Sequence, residues 1–136
     1  MVCPYCANIS SVTNSRTRHR RYQTWRRRKC HICHAVWTTH EIYDYTTTHR
    51  VRKSRSRRVE PFSRDLLLLS IYDALRHRKH AYQEAGSLTD TVVMKILIKK
   101  EPIISSDDIR IITLTTLESF DEIAGALYAS AHRTHA

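Results

Sequence analysis

Cys3-Pro4-Tyr5-Cys6 and Cys30-His31-Ile32-Cys33 decide the fold, because these two short stretches hold all four cysteines of the chain, 23 residues apart. A Cys-x-x-Cys turn offers two sulfurs from one knuckle, and two knuckles joined by a hairpin make a closed tetrahedral thiolate site for zinc. Cys3, Cys6, Cys30 and Cys33 are therefore the candidate ligands of one structural Zn²⁺. Two disulfides would suit a small secreted protein, but Met1 and Val2 leave no room for a signal peptide ahead of Cys3, so a disulfide scaffold is not expected. A redox pair needs one Cys-x-x-Cys followed by a helix, and neither pair precedes a helical apolar pattern. An open catalytic zinc wants three protein ligands and a water. Four thiolates already close the shell, so the nearby His31, His34 and His40 are read as surface groups.

Outward from the cysteines, the pattern predicts short strands over 11–14, 22–29 and 35–42, with a polar, basic turn over 15–21. So few apolar residues cannot make a core unaided, and a three-stranded antiparallel zinc ribbon is the expected architecture. Trp25 and Trp37 are the large apolar groups available to cover it, with base stacking as their alternative use.

Charge is distributed unevenly. The net charge is +10, yet residues 1–60 hold 14 of the 23 Lys and Arg against only Glu41, Asp44 and Glu60. The remaining residues hold 9 against 10 acids, so the whole excess lies beside the cysteines. A basic face of this kind neutralises phosphates and releases counterions, which points to nucleic acid; the bland alternative is a solvated surface that keeps the chain soluble. Membrane binding is not expected, since the basic stretch is patterned as strand and no apolar run reaches spanning length.

The second half reads as helical. After a polar link at 46–49, residues 50–53 and 58–60 look like the arms of a small hairpin, and Pro61 ends the second arm. Ser63 with Asp65 caps a helix to about residue 80, with Leu67, Leu68, Ile71 and Leu75 on one face. Ser87 with Asp90 and Ser105 with Asp108 look like two further helix starts. The first would carry Leu88, Val92, Val93, Ile96 and Leu97, and the second Ile109, Ile112, Leu117 and Phe120. A last amphipathic stretch over 121–132 places Ile123, Leu127 and Tyr128 on one face.

Taken together, Cys3-Pro4-Tyr5-Cys6, Val12-Thr13-Asn14-Ser15-Arg16, Arg26-Arg27-Arg28-Lys29-Cys30-His31-Ile32-Cys33 and Trp37-Thr38-Thr39-His40-Glu41 resemble, in the same order, the motifs of the NrdR family, bacterial repressors of ribonucleotide reductase genes. Arg50-Val51-Arg52-Lys53 and Glu60-Pro61-Phe62 look like the opening of that family's ATP-cone, and Ala129-Ser130-Ala131-His132-Arg133 is similar to its closing Ala-Ser-Val-Tyr-Arg. The chain departs from the pattern at His34, where the family has glycine, at Lys53-Ser54-Arg55-Ser56, where it has Lys-Arg-Asp-Gly, at Leu66, where it has lysine, and at Gly125, where it has tyrosine. It also ends at Ala136 without the family's charged helical tail.

The resemblance implies an α+β chain: a zinc ribbon over 1–45 that binds double-stranded operator DNA, then a mainly helical ATP-cone-like domain over 46–136 that senses nucleotide and oligomerises. It implies a cytoplasmic, nucleoid-associated homo-oligomer whose effector is ATP or dATP. Arg16, Arg26, Arg27, Arg28 and Lys29 are the candidate DNA contacts. Val51, Lys53, Arg58, Glu60 and Phe62 are the candidate nucleotide cradle; the alternative is that Lys53 and Arg58 extend the basic surface and Phe62 plugs the helical core. The alternative function is a constitutive ribbon protein, bound to RNA or the ribosome, whose helical half is a degenerate cone that takes no nucleotide. An enzyme is not expected: no P-loop occurs, and Asp107-Asp108 look like first-turn helix charges rather than magnesium ligands.

Overall fold

Between the two knuckles, aromatic and β-branched residues interleave with arginine, and that mixture favours extended chain. In the computed structural model, which describes residues 1–133, this segment forms an antiparallel sheet of β1 (Ser10–Arg18), β2 (Gln23–Cys30) and β3 (Val36–Ile42) in sequential order. β1 reaches four residues farther than its local pattern predicts, because β2 supplies partners for Arg16, Thr17 and Arg18. The turn shrinks to a 3-10 turn at His19–Arg21, closed by Tyr22 in the left-handed region. One irregularity interrupts the ladder: Val12 pairs with Arg28 and Asn14 with Arg27, so Thr13 is an extra, bulged residue.

Two compact units divide the chain, Met1–Tyr43 and a second beginning at Asp44. The second opens with a single helical turn, α1 (Tyr45–Thr48), capped by the Asp44 carboxylate, which accepts from Thr46 N–H. A second small sheet follows: β4 (Arg50–Arg52) pairs antiparallel with β5 (Val59–Pro61) and parallel with β6 (Ile103–Ser105). Pro61 is tolerated because β5 is an edge strand, paired with β4 alone among the described residues. Four helices complete the unit's described residues: α2 (Arg64–Leu75), α3 (Ala81–Ile98), α4 (Ser106–Phe120) and α5 (Glu122–Ala131). The last three residues of the domain expected over 46–136 lie outside the described residues.

Caps behave as expected at two sites and not at a third. Ser63 accepts from Leu66 N–H and Ser105 from Asp107 N–H, each satisfying an otherwise orphaned donor at a helix start. Ser87 caps nothing: α3 begins six residues earlier, at Ala81, and runs straight through it. A Ser-x-x-Asp pattern within a helix is locally indistinguishable from a capping box, and Ala85, Leu88, Val92 and Ile96 bury one continuous stripe that holds the helix together across it.

Phe62, Leu67, Ile71, Leu75, Val92, Ile96, Ile104, Leu117 and Tyr128 lie in one buried core. Ile123 and Leu127, expected to face it, are 61% and 46% exposed. α5 instead buries Ala124, Gly125 and Tyr128. A Cβ added at Gly125 would stand 2.5 Å from Glu118 Cγ and 3.1 Å from Glu118 Cα. So close an approach of α4 and α5 rotates the small residues inward and the large aliphatic ones out.

Candidate metal centre, basic ribbon and cavity

The two knuckles, far apart in sequence, meet at one end of the ribbon, where antiparallel pairing sets Ser10 opposite Cys30. Cys3 Sγ lies 3.6 Å from Cys33 Sγ, Cys6 Sγ lies 3.5 Å from Cys30 Sγ, and all four sit within 4.8 Å of one another. Zn–S bonds of about 2.3 Å at tetrahedral angles place sulfurs roughly 3.8 Å apart, so the set fits one structural Zn²⁺. Backbone geometry supports that fit. Tyr5 N–H points at Cys3 Sγ and Ile32 N–H at Cys30 Sγ, both at 3.4 Å, while the Asn8 amide donates to Cys6 Sγ at 3.4 Å. Such donors orient the sulfurs.

The residue after each knuckle turns left-handed: Ala7 has φ 58° and His34 φ 59°. His34 thus adopts the conformation that glycine adopts freely. Four sulfurs this close cannot all ionise without a cation between them. The Asn8 amide and N–H pull Cys6 down to about 6. At Cys33 the Ala35 N–H favours the thiolate, but desolvation and the neighbouring sulfurs of Cys6, Cys3 and Cys30 prevail and push it up to about 12.

Beyond the metal, pleating sorts the basic run. Successive strand side chains point to opposite faces, and directly paired residues share one. Arg27 pairs with Thr38 and Asn14, and Lys29 with Val36 and Ser11. Arg16 pairs with Trp25, which pairs with His40. These residues therefore share one face with Arg18, which pairs with Gln23 two residues from Trp25. Arg26 and Arg28 share the other face with Thr39 and Trp37. Arg26 is neutralised there: its guanidinium reaches Glu41 Oε2 at 2.7 Å. Arg28 Nε donates to Thr39 Oγ1 at 3.2 Å, and on the first face Arg27 Nη1 donates to Thr38 Oγ1 at 3.0 Å. Trp25 and Trp37, half-buried, lie on opposite faces, so they do not form the shared mini-core expected of them.

In the second unit, a cavity of about 460 Å³ opens between the β4–β5 turn, the start of α4 and the end of α5. Lys53, Arg55, Arg110 and Arg133 give it positive charge, and Asp107 contributes a carboxylate. Tyr128 and His132 stack at one wall, ring centroids 4.2 Å apart. His132 Nδ1 lies 3.0 Å from Tyr128 O and Nε2 lies 3.1 Å from Ser70 Oγ, which makes Nδ1 the donor of the neutral ring.

Of the five residues read from sequence as a nucleotide cradle, only Lys53 lines this cavity. Lys53 Nζ meets Glu60 at 2.9 Å. Val51 packs against the core, and Phe62, 3% exposed, is part of it. Arg58 N–H is tied to Ser56 Oγ within the turn. Ser54 pins the turn to α4, donating to the Asp107 carboxylate and meeting Ser106 Oγ at 3.1 Å. Arg110, Tyr128 and His132 carried no local signal as cavity residues, because the wall joins segments some 50 to 80 positions apart in sequence. Arg18 and Asn8 were legible in principle, one from strand parity and the other from its place two residues beyond a knuckle.

Residues 1–41 match the family described as "Transcriptional repressor NrdR-like, N-terminal domain". Over nearly the whole chain, three proteins named "Transcriptional repressor NrdR" are similar. The one from Bartonella henselae is 33% identical over 134 residues, 98% of this chain and 82% of that protein. Its counterpart from Streptococcus pneumoniae is 32% identical over 135 residues, covering 98% and 85%. The Roseiflexus castenholzii protein is 30% identical over 137 residues, covering 100% and 89%. Likeness that runs through both units, and not through the cysteine ribbon alone, means that this chain belongs to the NrdR family.

Proposed function

We propose that this chain is a zinc-dependent, DNA-binding repressor of ribonucleotide reductase genes, in which ATP or dATP controls oligomeric state and operator affinity. The ribbon, residues 1–45, is the DNA-binding part, with contacts drawn from Arg16, Arg26, Arg27, Arg28 and Lys29. Residues 46–136 sense nucleotide and oligomerise. The observation that carries this reading is the concentration of arginine and lysine on a sheet clamped at its four-cysteine end, with Arg26 alone paired to a carboxylate among the described residues of that sheet, in a chain whose relatives are named repressors.

The cationic cavity beside Lys53 is the effector site, its positive charge suited to a polyphosphate and its aromatic wall to a base. An effector alters DNA affinity only through unequal affinity for two assemblies, so nucleotide must change the sedimentation of the protein. Calorimetric titration of the zinc-loaded chain with ATP and dATP, followed by sedimentation with each, tests this. Binding of neither nucleotide defeats the regulatory reading.

A second reading rests on a specific contact. Lys53 is held by Glu60, and Asp107 enters the cavity while bonded to Ser54, so the turn is already pinned by groups of this chain. A constitutive ribbon protein with a cone that takes no nucleotide would look the same. DNA binding that persists unchanged with saturating ATP or dATP selects it.

A further inference from the structure

We propose that only one face of the ribbon contacts phosphate, the face carrying Arg16, Arg18, Arg27 and Lys29, and that the bulge at Thr13 exists to complete it. This rests on the DNA-binding reading above but replaces its list of candidate contacts with one surface, removing Arg26 and Arg28 from the contacts and adding Arg18. Four cations share that face, and none of Arg16, Arg18 and Lys29 meets a carboxylate among the described residues. Arg27 is steadied by a neutral hydroxyl, which orients the guanidinium without cancelling its charge. The opposite face holds Arg26, cancelled by Glu41, and Arg28, half-buried beside Trp37.

The bulge is what unites the four. Before it, Ser10, Ser11 and Val12 pair with Cys30, Lys29 and Arg28; continued in that register, Arg16 would oppose Thr24. A one-residue slip moves every following side chain to the other face. With Thr13 inserted, Arg16 opposes Trp25 instead, and both Arg16 and Arg18 join Arg27 and Lys29. Thr13 Oγ1 donates to Arg27 O at 3.2 Å and closes the bulge. Arg26 is accordingly a positioning residue: its bond to Glu41 ties β2 to β3 and holds Arg27 and Lys29 in register, roughly 7 Å apart on the same side.

The experiment measures binding of the full, zinc-loaded chain to a mixed-sequence duplex of about 30 base pairs across a salt series, since the phosphate contribution is independent of sequence. Arg16→Gln, Arg18→Gln, Arg27→Gln and Lys29→Gln each flatten the plot of log K against log salt by about 0.9, the slope of one phosphate contact. Arg26→Gln and Arg28→Gln leave the slope unchanged, and Arg26→Gln lowers the melting temperature. Arg27→Lys, which keeps the charge, keeps the slope, and one bound zinc per chain shows that each variant is folded. The inference is overturned if Arg26→Gln or Arg28→Gln flattens the slope as much as Arg27→Gln, or if the four first-face variants leave it unchanged. A wild-type chain that binds no duplex at all overturns the DNA-binding reading and this one with it.

Discussion

The two units solve the problem of stability in opposite ways. In Met1–Tyr43 the buried apolar residues among those described are Cys3 and Cys30, both in the metal site, while Val12, Val36 and Ile42 stand exposed on the strands. From Asp44 onward a continuous core runs from Phe62 through Tyr128, and the helix ends are closed by Ser63, Ser105 and Asp121. A sheet without a core can give a whole face to a partner but must borrow its rigidity from the metal. A packed helical unit is rigid by itself and presents a cavity instead. One unit therefore suits a surface that reads a polyanion, and the other a pocket that could respond to a small ligand.

Metal removal separates the two most sharply. Cys30→Ser, or a strong chelator, abolishes the ribbon, because zinc contributes roughly 10 to 16 kcal/mol to metal-dependent modules of this kind. Circular dichroism should lose the sheet signal while the helical signal persists, and cooperative loss of both would break the comparison. Ile71→Ala reverses the outcome: it destabilises the helical unit by about 2 to 5 kcal/mol, read by denaturant unfolding, with zinc content unchanged.

Gly125→Tyr restores the residue that the family resemblance expects, yet its Cβ would press into Glu118, and overpacking of about 1 to 3 kcal/mol should lower the melting temperature. An unchanged melting temperature would show that α4 and α5 can separate freely. Acid acts on the helical unit through Asp121. The Ala124 N–H and the Arg78 guanidinium hold its carboxyl well below the usual carboxylate range, and Arg78 also bonds Glu84, whose carboxyl is lowered in turn. A depressed folded value means stability present above about pH 4 and lost as the pH falls further. In Asp121→Asn that acid dependence should be weaker, measured as melting temperature against pH. Last and smallest, His34→Gly removes a left-handed penalty of about 1 to 2 kcal/mol and adds about 0.4 to 1 kcal/mol of unfolded-chain entropy, so it stabilises the zinc-loaded ribbon slightly and raises its melting temperature alone.

Residues near one another in sequence were the legible ones. The knuckles, the Ser63 and Ser105 caps and the stripes on α2 and α3 follow from spacing, because metal ligation, capping and helical periodicity are short-range. Ser87 misled for the same reason: the local pattern was a capping box, and packing along α3 overrode it. Ile103–Ser105 escaped notice as a strand, since three residues become β6 only when β4 lies alongside. Ile123 and Leu127 show the limit of amphipathic reasoning, for a glycine-mediated close approach turned their helix away from the core.

What the amino-acid sequence determined by itself is the chemistry: four cysteines in two knuckles, a basic first half, a helical second half and the order of motifs shared with the NrdR family. What only the tertiary structure decided is direction. Whether Arg16 joins Arg27 or Arg26 depends on a single bulged threonine, and the cavity depends on a turn, a helix start and a helix end that meet only after folding. Side-chain type is a local property, but the face a side chain occupies is set by the partner strand or helix, and partners are chosen across the whole chain.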